Sequence, residues 1–141
     1  MRIFRNLVAL GSVGVLVFLC TGCTARAPLS GVFASTATSV DALPEANNFA
    51  VSSGIEASSS RSLGEDTAGN RYFVVRASDS NDTCLLVYFP DGLVGSGCDE
   101  QLPIQFGVQD FEAELVSKLP ASIPVGSEAI GEHVIATLKS N

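Results

Sequence analysis

Two cysteines set evenly about a turn constrain this chain more than any other feature. Cys84 lies in residues 83–89 (TCLLVYF), a run rich in β-branched and aromatic side chains, and Pro90-Asp91-Gly92 follows as a turn with glycine where a positive φ is wanted. Residues from Leu93 onward read as the returning strand and carry Cys98. If the hairpin folds about Asp91, Cys84 and Cys98 face each other across the ladder, within reach of a disulfide. A bulge at Gly92 would shift that register by one residue. A zinc site is the competing use of two cysteines, but it wants four ligands at short spacing, and the only histidine, His133, is far along the chain. There is also no C-x-x-C to suggest a redox-active pair.

Strand signals surround this hairpin. Residues 71–77 (RYFVVRA) form a strand that residues 78–82 connect to it, and Leu63 belongs to a preceding strand across the turn at 66–70. Leu102, Ile104, Phe106 and Val108 alternate in a half-buried strand over 101–109. Residues 111–119 fit two periods, since Phe111, Ala113 and Leu115 alternate while Phe111, Leu115 and Leu119 recur at helical spacing; the strand is favoured. Pro120 and Pro124 bound a loop, and 132–138 (EHVIATL) supply a last strand, with His133 beside Glu132 as a surface or edge residue. The expected class is mainly β, a small antiparallel meander curled into a sandwich or half-barrel.

By residue parity, Tyr72, Val74, Leu86 and Tyr88 fall on one side, and Phe73, Val75, Leu85, Val87 and Phe89 on the other. Both faces of the central strands are thus apolar. Later strands should cover one, and the other needs the segment around Leu43 to Ile55, or a partner.

The amino terminus is segregated. Arg2 and Arg5 precede a 14-residue uncharged run from Leu7 to Cys20, shorter than the roughly 20 apolar residues that a transmembrane helix needs. This is the layout of a signal helix. Its end, Leu19-Cys20-Thr21-Gly22-Cys23, resembles the lipobox of bacterial lipoproteins, with small residues before the cysteine and Cys20 at the place where leucine is usual. The resemblance implies cleavage before Cys23, a diacylglyceryl thioether on its sulfur and an amide-linked acyl chain such as palmitate, and two or three chains make a stable anchor. The competing reading is an ordinary secretory peptide cut near Thr21-Gly22-Cys23 or Ala25-Arg26-Ala27.

With Cys20 removed and Cys23 acylated, Cys84 and Cys98 remain as an even pair outside the cell, where disulfides persist. The expected organisation is a signal peptide over 1–22, a lipid-anchored tether with an irregular Ser/Ala-rich stretch over 23–60, and a β domain over 61–141. Residues 24–40 are small and polar apart from Leu29, Val32, Phe33 and Val40; as a free tether they reach at most about 60 Å. Asp41-Ala42-Leu43-Pro44 should form a short helical turn opening on an Asp cap, and 52–60 should be irregular. In Asp41-Ala42-Leu43-Pro44, together with Ser60-Arg61-Ser62-Leu63-Gly64, Cys84-Leu85-Leu86-Val87, Gly97-Cys98 and Ile130-Gly131-Glu132-His133-Val134, the chain is similar to a loose family of actinobacterial lipoproteins. That resemblance supports the anchor, the disulfide and the β domain, and implies no activity.

Charge narrows the function classes. The chain carries 8 Lys+Arg against 15 Asp+Glu, −7 in all, and loss of Arg2 and Arg5 makes the mature form −9. Without a basic cluster it lacks the footprint of a nucleic-acid binder. No Ser-His-Asp set, G-x-S-x-G elbow, P-loop or G-x-G-x-x-G motif occurs, so no catalytic residue, cofactor or metal ligand is assigned. Asp79, Asn81 and Thr83 open like a calcium loop, but Cys84 and Pro90 stand where it needs Gly and Glu. The expected protein is a lipid-anchored module on the extracytoplasmic face of the cell membrane, binding an envelope protein or glycan or serving a structural role. The alternative is an envelope hydrolase drawing a carboxylate pair from Asp79, Asp82, Asp99 and Glu100.

Overall fold

The computed structural model describes residues 29–44 and 53–139. The expected signal peptide, Cys23, tether residues 24–28 and the stretch 45–52 lie outside the described residues. Among the described residues, eight strands form two four-stranded antiparallel sheets. The first holds β1 (Ile55–Glu65), β2 (Arg71–Ala77), β3 (Thr83–Tyr88) and β4 (Val94–Asp99) in sequence order, a meander. The second holds β5 (Ile104–Val108), β6 (Phe111–Leu115), β7 (Ser127–Ile130) and β8 (Val134–Leu138) in the order β5-β6-β8-β7, so β8 inserts between β6 and β7 and this sheet is not a meander. Residues 111–115 are strand, and β7 was not marked in the sequence pattern.

The β3–β4 hairpin has the register expected from the cysteines. Cys84 pairs with Cys98, their Cα atoms are 4.1 Å apart, and a disulfide joins them. Gly92 takes φ 88° inside the three-residue loop, the Gly92 N–H donates to the Phe89 carbonyl, and Phe89 N–H donates to Leu93 across the loop mouth, so the register holds.

Between β2 and β3 the parity grouping is corrected. Tyr72 pairs with Val87 and Phe73 with Leu86, so Tyr72 and Val74 share a face with Leu85 and Val87, while Phe73 and Val75 share one with Cys84, Leu86 and Tyr88. The cause is loop length. Ala77 N–H closes onto the Asp82 carbonyl over four residues, and an even-numbered loop inverts parity where the three-residue loop of the next hairpin keeps it.

The first face packs on Ile104, Phe111, Ala113, Leu115, Ile130 and Val134 of the second sheet and forms the sandwich core. Burial of each of the larger of these side chains contributes about 1.5–3 kcal/mol. Leu43 and Ile55 pack on the second face, as the sequence suggested for the two ends of its cover.

The expected boundary at Arg61 falls inside a strand. β1 begins at Ile55, and the Ser-rich stretch read as irregular belongs to it. Register slips between Glu56 and Arg61, and there the Ser59 hydroxyl donates to the Glu56 carbonyl and accepts from Arg76 N–H, replacing part of the ladder.

At two seams the sheets meet over glycine. A Cβ on Gly97 would lie 2.4 Å from the Gln105 carbonyl oxygen, and one on Gly131 (φ 56°) 2.4 Å from that of Leu63. β4 and β5 close one side of the sandwich this way, and β1 and the end of β7 the other.

Candidate functional site

Residues 29–44 run over the protein rather than away from it. Leu29 is only 8% exposed and belongs to the sandwich core, with Val32 and Phe33 packed beside it. The five-residue helix α1 (Ser30–Ala34) follows, then a 3-10 turn at Ser39–Asp41. Asp41 closes that turn instead of opening the next, and its Oδ2 accepts from the N–H and hydroxyl of Thr38. Its Oδ1 accepts from Ser62 N–H in β1. Burial pushes the Asp41 carboxyl up, but the N–H groups of Ser62 and Thr38, the Thr38 hydroxyl and nearby Arg61 together hold it below the ordinary aspartate range.

Arg61 is the other half of this clasp. Its guanidinium donates to the carbonyls of Phe33, Ser35, Ser59 and Ser60, which ties the strap to the bulged strand. The Phe33 ring lies 4.5 Å beneath the Arg76 guanidinium, a cation–π contact. The sequence assigns neither arginine a contact with residues 29–44, although Thr38-x-x-Asp41 is a readable capping pattern.

Two openings flank α1. A cleft of about 550 Å³ lies between the helix and the β2–β3 turn, walled by Phe33, Glu56, Arg76, Asp82, Thr83 and Glu100. Of the four carboxylates considered for hydrolysis, it brings together Asp82 and Glu100. Asp79 and Asp99 are exposed and do not line it, and Asp99 accepts from Gln101 N–H as a local turn. On the other side, a groove of about 640 Å³ passes Leu29, Val32, Leu63, Ser117, Glu132 and His133.

His133 is half-buried in the turn before β8, not within the strand. Its Nδ1 lies 3.2 Å from the Val116 carbonyl and donates to it. The ring is therefore oriented by main chain, without the carboxylate partner of a hydrolytic triad. Among the described residues no group of three or more His, Cys, Asp or Glu could hold a metal ion, and no helix is long and apolar enough to cross a membrane.

At the opposite end of the sandwich a half-buried polar knot closes the β1–β2 hairpin. Asp66 accepts from the Tyr72 hydroxyl at 2.6 Å, from the Asn70 side chain at 2.7 Å, and from the N–H groups of Ala68 and Asn70. Burial, then the bond to Asp66 and its charge, push the Tyr72 phenol well above its ordinary value. Burial works against the Asp66 charge, but its donors, Tyr72 first, outweigh it and lower its affinity for a proton. The carboxylate therefore stabilises the fold above the unfolded aspartate pKa near 4, and that contribution is lost as pH falls through the lower folded value. Asp66→Ala should cost about 2 kcal/mol at neutral pH by leaving buried donors unpaired, and should flatten stability against pH below 4, as read by urea denaturation at a series of pH values.

No family model, curated protein or solved structure matches this chain.

Proposed function

We propose that the protein is a lipid-anchored module of the extracytoplasmic face of the membrane, acylated on Cys23, that binds an envelope protein or glycan. The observation that carries this reading is the Cys84–Cys98 disulfide, because such bonds persist outside the reducing cytosol and the compartment agrees with the signal-like amino terminus. The surface supports binding over catalysis. The acidic side chains of the cleft beside α1, Glu56, Asp82 and Glu100, meet no histidine, whereas Leu93, Val108, Val125 and Leu138 stay exposed in turns and strand ends at the far end of the sandwich. Exposed apolar side chains gathered at one end suit contact with a partner.

Replacing Cys23 with Ser tests the anchor. The substitution should shift the protein from the membrane fraction to the soluble envelope fraction, or leave the uncleaved precursor, and abolish incorporation of a palmitate analogue. Cys23→Ser protein that stays membrane-bound at its mature mass would show the anchor reading to be wrong.

A further inference from the structure

We propose that the far end of the sandwich is a docking mouth for a short segment of another protein, one whose aliphatic side chains are flanked by Lys or Arg. The inference rests on the binding reading above and commits the partner to protein. Register supplies the geometry. Val108 pairs with Phe111 and Phe111 with Leu138, so the three side chains stand in one row across β5, β6 and β8. Directly opposed residues share a face, and Phe111 belongs to the sandwich core, so the row lies on the inner face of its sheet. Phe111 is 7% exposed, but Val108 and Leu138 on either side of it are 46% and 63% exposed.

The first sheet ends at the same level. Phe106 stands against Gly95 across the β4–β5 seam, and Leu93 and Val108 each follow two residues further toward this end. Phe89, held to Leu93 across the hairpin loop, sets its ring edge-on to that of Phe111 at 5.2 Å, and Phe106 packs beside both. Leu93 is 65% exposed, and Val125, next to the groove residue Gly126, is wholly exposed. The core is thus open at this end, with Phe89, Phe106 and Phe111 as its floor and aliphatic side chains as its rim. The other large apolar side chain exposed among the described residues is Val40, in the 3-10 turn. A contiguous apolar surface with a polar surround is the mark of a contact site.

The charge around the rim selects the occupant. Asp91 accepts from Leu93 N–H, Asp110 stands in the turn between Val108 and Phe111, and Asp66 and Glu128 line a groove with Leu138. Lys139 is bridged to Glu112 at 2.9 Å, so that pair adds no net charge. The surround is therefore acidic, and a second copy of the chain would set like charges against like, which is costly at an interface. Lysine or arginine beside an aliphatic core on the partner complements both parts of the surface. A glycan fits less well. Sugar rings stack on exposed aromatic faces, whereas Tyr72 and Tyr88 are buried and the rim here is aliphatic.

The test uses the full-length chain, isotope-labelled, in discs of phosphatidylcholine and titrated with synthetic peptides. One peptide carries leucine and valine flanked by lysines, another the same core flanked by glutamates, and a third lysines around serine. The lysine-flanked aliphatic peptide should bind several-fold tighter than the other two, with amide shifts at Leu93, Gln109, Phe111 and Leu138 and none at Ser80 or Ser117. Leu93→Ser combined with Leu138→Ser should weaken this binding several-fold, and so should Val125→Ser, whose fully exposed side chain leaves the fold intact. Equal binding of the lysine- and glutamate-flanked peptides, unchanged affinity in these variants, or shifts at the α1 end would overturn the proposal. Shifts at Leu93 and Leu138 that grow with protein concentration alone would overturn it in favour of a second copy, and shifts there with N-acetylglucosamine oligomers in favour of a glycan. None of these readouts depends on Cys23, so the anchor stands or falls separately.

Discussion

Reducing the Cys84–Cys98 bond, or replacing both cysteines with Ala, is expected to destabilise the domain by about 3 kcal/mol, the chain-entropy value for a loop of some 15 residues. Against the 5–15 kcal/mol that holds a domain of this size together, that is a large share. The bond has a second effect that its entropy does not capture. It holds Cys98 opposite Cys84, the register that sets Gly95 and Gly97 against Phe106 and the Gln105 carbonyl at the β4–β5 seam. Cys84 is fully buried and Cys98 exposed, so Cys84→Ala also leaves a small void in the outer cluster with Phe73 and Leu86. Denaturant unfolding with and without reductant measures the first effect. Amide exchange along β4 measures the second, since its protection should fall more than that of β2. A midpoint unchanged by reduction would remove the disulfide from the stabilising interactions.

Placing a methyl group at the β1–β7 seam should cost as much. Gly131→Ala is expected to destabilise by about 3 kcal/mol, because a left-handed alanine costs 1–2 kcal/mol and the methyl would drive into the Leu63 carbonyl, which cannot swing aside as a side chain would. Gly97→Ala meets the Gln105 carbonyl and should cost roughly 1–3 kcal/mol by the second effect alone. Gly126 supplies the control. It also has a positive φ, 84°, but a methyl there meets open space, so Gly126→Ala should cost only the conformational penalty of about 1–2 kcal/mol. Thermal or urea unfolding of the three variants distinguishes close sheet contact from backbone conformation. Equal losses at Gly131 and Gly126 would show that the seam is loose.

The part of this fold that was legible in the sequence is the part with strong side-chain periodicity and a marked turn. Residues 71–77 and the hairpin about Asp91 are apolar, β-branched and bounded by turn residues, and both stand as strands with the cysteines opposed. Which apolar residues share a face was not legible, because that depends on the number of residues in the 78–81 loop, a property of the turn and not of either strand. The first half of β1 was hidden for another reason. Its serines look like linker composition, and only the partner strand shows that Ser59 bonds across to Arg76. β7 is four residues long with a single buried side chain, Ile130, too little for a period to register.

The strap is the instructive case for the candidate site. Leu29, Val32 and Phe33 were visible as the few residues with anything to bury, yet the surrounding Ala, Ser and Gly suggested a free tether. What fastens them are Arg61 and Arg76 in β1 and β2, reached through tertiary folding and invisible to local pattern. Asp82 and Glu100 were legible as candidates, but their meeting in one cleft depends on the turn between β2 and β3 and on the end of β4. The Asp66 knot was readable only as a turn, since Tyr72 reaches it by side-chain length.

The most direct measurement is the mass of the first tryptic peptide of the mature protein extracted from membranes. A peptide beginning at Cys23 and heavier by a diacylglyceryl group and an amide-linked acyl chain is the expected result. A mature chain beginning elsewhere, or Cys23 recovered as an unmodified thiol, would contradict the lipid anchor and remove the membrane address of this β sandwich.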